Sequence, residues 1–120
     1  MPRRPPTIQQ GSIPWANIRS PNGQIKKRPI VVLTATDEIV LDEPLVGVAV
    51  STLVSEPLPD GHIEIPWQVN GHPATRLRRR SVAVCNWLIQ VTRSELEPTE
   101  AYIPSKTLLA IIEAVRRLNE

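Results

Sequence analysis

The chain has 120 residues, room for one domain and little space for a second. Fourteen Lys and Arg against twelve Asp and Glu leave a net charge of +2, and 41% apolar residues suffice for a core, although Phe is absent. No apolar run reaches the ~18 residues of a membrane span, no apolar segment follows the basic N-terminus as in a secretory signal, and one cysteine excludes an internal disulfide or a cysteine metal cluster. These limits describe a small, soluble, mildly basic cytoplasmic domain. Thirteen Pro and five Gly predict short, interrupted elements rather than a helical bundle.

In chain order, residues 1–10 have no periodicity and read as a flexible basic arm, with the domain proper over 11–120. Ser12 to Ile18 reads as a first strand, bent or edge-placed because Pro14 has no N–H for a ladder. The run from Ser20 to Gly23 is a turn, since Asn-Gly tolerates positive φ. Ile30 to Thr36 is apolar on both faces and is expected to be central. Pro44 to Leu53 is a second central strand, in which Gly47 marks a bulge or a close backbone approach. Gly61 to Pro66 alternates as a half-exposed strand does, and Ser81 to Val91 gives one long strand or two joined by a bulge. The period then changes. Leu108, Ile111, Val115 and Leu118 recur at helical spacing, with Leu109 and Ile112 widening the stripe. Pro104 and Ser105 supply a start signal, with Ser105 as cap, and Arg116 and Arg117 suit the negative end of the helix dipole. The whole reads as mainly β, a small barrel closed by a C-terminal helix.

Several side chains stand out for chemistry. Lys26, Lys27 and Arg28 precede a central strand, where they either hold a phosphate or form a solvated charged turn; Pro29 holds Arg28 extended. Arg76, Arg78, Arg79 and Arg80 precede the last strand, and extended geometry would put Arg76, Arg78 and Arg80 on one side. They are either a nucleic-acid footprint or an edge protected by charge. The hydroxyls of Ser51 and Thr52 end the second central strand, with small residues beside Ser51, although such hydroxyls most often bond to local backbone. His62 and His72 lack ligand spacing, so no metal site and no cofactor are expected. His72 is first a turn residue and then a candidate acid or base, and Cys85 reads as a buried strand thiol. Trp15, Trp67 and Trp87 either stack on bases or fill a core that has no Phe.

Taken in order, GSIPWANI, NGQIKKRPIVVLT, LVGVAVST, SVAVCNWLIQVTRSEL and PSKTLLAIIEAVRRL resemble the PemK/MazF family of toxin–antitoxin ribonucleases, from about Gly11 to Leu118. The resemblance implies an SH3-like barrel with a C-terminal helix. It also implies a homodimer, an acidic antitoxin partner, and metal-independent cleavage of single-stranded RNA that leaves a 2′,3′-cyclic phosphate and a 5′-hydroxyl. Carried over residue by residue, Arg28 matches the family arginine that contacts the scissile phosphate, and Ser51 takes a position that is usually Thr. Lys26, Lys27, Thr52 and Arg76 to Arg80 would then bind RNA. The chain departs from the pattern in several places. Asn86 stands at an acidic position, Val84 where some members have arginine, and Gln10 where a basic residue is common; the loop from Gly23 to Arg28 is short and lacks its usual acid. The departures leave the missing acid–base role to substitutes: His72, Glu64, Asn86 or one of the arginines from 76 to 80. A catalytically inactive RNA- or peptide-binding barrel is the alternative, and a structural dimer module a weaker third reading.

Overall fold

The computed structural model describes residues 7–20 and 22–119. Its five strands are β1 (Trp15–Arg19), β2 (Ile25–Val32), β3 (Pro44–Ser51), β4 (His62–Ile65) and β5 (Ser81–Thr92), followed by one helix, α1 (Ser105–Leu118). All neighbours are antiparallel, in the order β1-β2-β3-β5-β4. The architecture is thus mainly β with a C-terminal helix, and the sheet is curled rather than closed, with β1 and β4 as its edges. No described helix is long and apolar enough to cross a membrane.

Curling gives the sheet two cores. Val31, Val48, Val50, Ile65, Ala83 and Cys85 pack toward Ile111 and Ala114 of α1. Ile30 and Val32 point the other way and join Ile8, Ala16, Ile18, Leu45 and Val91. Strand β2 therefore alternates between two apolar environments, which explains its unbroken apolar run. Ile8 is buried here, and the Gln10 backbone N–H donates to Thr36 Oγ1 at 3.0 Å, so residues 7–10 are packed against the domain rather than free. The rest of the expected arm, residues 1–6, lies outside the described residues. The outer edge of β1 is covered by the segment before α1: Trp15 and Glu97 exchange backbone hydrogen bonds at 3.0 and 2.8 Å, and the Ile13 N–H donates to the Ala101 carbonyl at 3.0 Å. Covering an edge in this way removes a template for aggregation.

Several expected boundaries shift. β2 begins at Ile25, not Ile30, because its charged half pairs fully with β1 from Ile25↔Arg19 to Pro29↔Trp15. Backbone hydrogen bonds hold a strand there that side-chain polarity conceals. The expected end of that strand is instead a 3-10 turn at Thr36–Glu38. At α1, Pro104 occupies the cap position and Ser105 is the first helical residue, with no side-chain cap. Leu109 lies outside the apolar stripe, exposed to solvent.

Two irregularities shape the sheet. A Cβ on Gly47 would lie 2.9 Å from the Val31 carbonyl oxygen and 3.0 Å from Ile30 Cδ1, so β2 and β3 approach too closely for a side chain. One residue later the ladder between β3 and β5 jumps: Val48 pairs with Leu88, but Ala49 pairs with Val84. Cys85, Asn86 and Trp87 are therefore extruded from that ladder as a bulge, a device that re-aims side chains.

Gly47→Ala should destabilise the fold by about 1–3 kcal/mol, since the obstructing atom is backbone and cannot swing aside. Urea titration checks this, with a lower midpoint expected at unchanged slope. Burial in the apolar core also pushes the Cys85 thiol from 9.0 up to about 11. Its stabilising contribution is complete below pH 9 and is lost as pH rises toward 11. At neutral pH the folded thiolate is about 100-fold rarer than an ordinary one. Alkylation of the native protein should accordingly lag the unfolded protein by at least that factor.

Candidate functional site

The charged half of β2 points its side chains alternately to two sides, and each side opens on a cavity. Lys26 and Arg28 line one, of about 390 Å³, together with Ser51 and Trp87. Lys27 lines the other, of about 440 Å³, with Trp15, Thr52, Arg76, Arg78 and Arg79. Arg28 reaches both, so it forms the ridge between them. The register explains why Ser51 is near. Ile30 pairs with Ala49, and the same register continued two residues brings Arg28 opposite Ser51. Val50 and Thr52 then fall on the other side, and both line the larger cavity.

Arg28 is held in an unusual way. Its cross-strand partner on β1 is Ala16, whose small side chain leaves room above the sheet. The guanidinium lies 5.7 Å from the centre of the Trp87 ring, the side chain that the β5 bulge turns out of register. A cation over an indole face is attracted by the ring quadrupole. The Nε–H of Arg28 is buried and has no hydrogen-bond partner among the described residues. A buried donor left unpaired typically carries a penalty of about 1–3 kcal/mol, relieved when a ligand supplies an acceptor. Ser51 Oγ accepts from the Leu53 N–H at 3.1 Å, which leaves its own hydrogen free to donate.

The arginines before β5 divide. Arg76, Arg78 and Arg79 converge on the larger cavity, whereas Arg80 is held elsewhere by Glu56 and by a bidentate pair with Glu64 at 3.1 and 3.0 Å. The expected sharing of one side by Arg76, Arg78 and Arg80 is thus corrected. The segment is not extended, because Arg76 adopts φ = +63° and breaks the alternation. A left-handed arginine carries about 1–2 kcal/mol of strain, a feature that clusters at functional sites. Arg78 and Arg79 are exposed and pair with no acid among the described residues.

The candidate general bases are occupied or remote. The Arg80 guanidinium holds the Glu64 carboxyl below the usual carboxylate range, and Glu64 lines neither cavity. His72 Nδ1 accepts from the N–H groups of Ala74 and Thr75 at 3.1 and 3.3 Å, pinning its own turn. Asn86 sits exposed in the β5 bulge beside Trp87. Two further acids, Glu97 and Glu100, do not line the cationic cavity but pair with cations that do: Glu97 with Lys27, and Glu100 with Arg76 at 3.8 Å. Their approach depends on the segment that covers β1, and nothing local in the sequence signals it. Among the described residues no three His, Cys, Asp or Glu side chains converge as a metal site. Of the tryptophans, Trp15 and Trp87 line the two cavities and none is fully buried, although Trp87 also packs against the second core.

This division of charge can be tested with a single-stranded oligonucleotide. Arg78→Ala should lower the slope of log affinity against log salt by about 0.7, the value for one phosphate contact on a single strand. Arg80→Ala should leave the slope unchanged, because its charge is already neutralised by Glu56 and Glu64. Equal slopes for both variants would contradict the assignment.

No family model and no curated protein matches the chain. Solved structures do. A MazF crystal structure from Deinococcus radiodurans superposes with a TM-score of 0.72 at 16% identity, covering 98% of each chain. MazF in a MazE–MazF crystal from the same organism gives 0.69 at 17% identity, covering 93% of this chain and 95% of that one. The Mycobacterium tuberculosis toxin MazF-mt6 gives 0.67 at 20%, covering 88% and 93%. With strand order, helix and nearly the full length accounted for, the chain has the MazF fold.

Proposed function

We propose that this protein is the toxin of a toxin–antitoxin pair, a cytoplasmic endoribonuclease that cuts single-stranded RNA without a metal ion. The observation that carries the reading is the buried, unpartnered Nε–H of Arg28, on a ridge between two cavities that each hold a tryptophan. A phosphate oxygen satisfies that donor and a second guanidinium N–H together, the bidentate geometry that arginine favours. The basic wall of Lys27, Arg76, Arg78 and Arg79 draws in the flanking phosphates. The MazF fold supports the same reading, since one of its structural relatives is described as a toxin.

In the proposed reaction the ribose 2′-oxygen attacks the adjacent phosphorus in line, and the bond to the departing 5′-oxygen breaks. The 2′-hydroxyl proton leaves to a base and another proton reaches the 5′-oxygen, giving a 2′,3′-cyclic phosphate and a 5′-hydroxyl. Arg28 and Ser51 stabilise the charge that builds on the non-bridging oxygens. An acidic antitoxin segment would compete for the same basic surface, as suits a partner that folds on contact. MazE–MazF complexes among the structural relatives support such a partner. We also propose a homodimer, because Leu41, Leu88, Tyr102 and Leu109 leave large apolar side chains in solvent on a single chain. Light scattering at micromolar concentration should give the mass of two chains; the mass of one would contradict it.

One observation favours the second reading, an RNA- or peptide-binding barrel without catalysis. No carboxylate or imidazole lines either cavity beside Arg28 among the described residues, and Asn86, which the resemblance sets at an acidic position, carries an amide and lines neither. Incubation with single-stranded RNA and with its deoxy-substituted copy separates the two. The nuclease cuts only the ribose form, in the presence of EDTA, and Arg28→Ala lowers the rate about 10²–10³-fold. Cutting of both substrates, or a metal requirement, would overturn the mechanism. Tight binding with no cutting would establish the binding-only barrel.

A further inference from the structure

The two cavities beside Arg28 differ in chemistry. The larger is walled by cations, Lys27, Arg76, Arg78 and Arg79, around the 40%-exposed Trp15. The smaller is bounded by the β1–β2 turn and, besides Lys26 and Arg28, is lined by neutral hydrogen-bonding groups, Ser20, Asn22, Gln24 and Ser51, with Trp87 as an aromatic wall. Cations on a phosphate chain give affinity without sequence information, whereas side-chain amides match the donor–acceptor edges of bases.

Hydrogen bonds among Ser20, Asn22 and Gln24 hold one of these amides. Asn22 Oδ1 accepts from the Ser20 hydroxyl and from the Gln24 N–H at 3.2 Å, which leaves the Asn22 amino group without a partner among the described residues. Gly23, at φ = +88°, closes the turn with its N–H on the Ser20 carbonyl at 2.9 Å. The Gln24 side chain makes no hydrogen bond among the described residues and lines the cavity. Two amides, one anchored by Ser20 and Gln24 and one free to rotate its donor and acceptor, thus line a cavity of about 390 Å³ that Arg28 also lines. That volume falls within the range of small-ligand sites.

We infer that base identity is read on one side of Arg28 only. An unpaired nucleobase enters the smaller cavity against Trp87 and is read by Gln24 and Asn22. The neighbouring nucleotides on the other side cross the cationic cavity, over Trp15, regardless of sequence. This rests on the proposal that Arg28 holds an RNA phosphate, and it adds which residues select the substrate.

The test uses short RNAs carrying 2′-O-methyl groups, which cannot be cut by attack of the 2′-oxygen, with each of the four bases placed in turn on either side of one junction. The wild-type protein should discriminate among bases at one position only, by about 5- to 100-fold. Gln24→Ala should flatten that discrimination, since the side chain has no internal partner whose loss would disturb the turn. Arg78→Ala should weaken all sequences alike and leave the ratio between them intact. Discrimination that survives Gln24→Ala, or that disappears in Arg78→Ala, would overturn the inference. So would a wild-type protein indifferent to base on both sides. Arg28→Ala separates the two levels of the argument. Loss of binding in that variant with base preference intact in Gln24→Ala removes only the inference, whereas unchanged binding in Arg28→Ala removes the phosphate site on which it stands.

Discussion

The central ladder of β2 and β3 is buried on both faces, and most of the molecule is arranged to cover those faces. Ile30 and Val32 face one core while Val31, Val48 and Val50 face the other, so the sheet curls to bring cover to each. The helix α1 supplies one lid and the β1 strand with Ile8 supplies part of the other. Gly47 permits the close approach of the two strands, and the neighbouring bulge in β5 takes up the mismatch that curling creates. The site is built where β2 leaves this double cover. Arg28 is the first polar residue outward from Ile30 on its own face, and it is half-buried there.

The bulge links fold to chemistry. By removing Cys85, Asn86 and Trp87 from pairing with β3, it buries the thiol, exposes the amide and turns the indole beneath the Arg28 guanidinium. Trp87 thus supplies by its ring quadrupole part of the orientation that a carboxylate would supply by a salt bridge. The consequence is electrostatic. A salt bridge would neutralise Arg28, whereas an aromatic face leaves its full positive charge in place. The neighbouring cations are treated differently: Lys27 is paired with Glu97, and Arg80 with Glu56 and Glu64, while Arg78 and Arg79 are left exposed.

Much of this was legible in the residues, and the failures have definite causes. Alternation and β-branched runs located β3, β4 and β5 closely, and helical periodicity located α1, because burial dictates those patterns. The charged half of β2 was missed because its strand is held by backbone pairing to β1, which leaves no apolar signature. Arg76, Arg78 and Arg80 do not share one side because one left-handed residue, Arg76, resets the alternation that an extended run would have. The gathering of Arg28, Ser51 and Trp87 depends on register and on a bulge, both of which arise from long-range pairing. Gly47 offered a local sign of irregularity, without showing which strand would bulge. The MazF resemblance, by contrast, pointed to Arg28 and Ser51 from motif order alone, and the structure places both around one cavity.

We propose the buried, unpartnered Nε–H of Arg28 as the donor that takes a phosphate oxygen. Nitrogen-15 NMR of the arginine side chains reads that hydrogen directly during titration with an RNA made uncuttable by 2′-O-methylation. The account predicts that the Arg28 Nε–H resonance shifts markedly and its solvent exchange slows at saturation, while that of Arg80 stays still. An Arg28 signal that remains unchanged while the signals of Arg76, Arg78 and Arg79 move would contradict it, because RNA would then bind the basic wall without engaging the ridge.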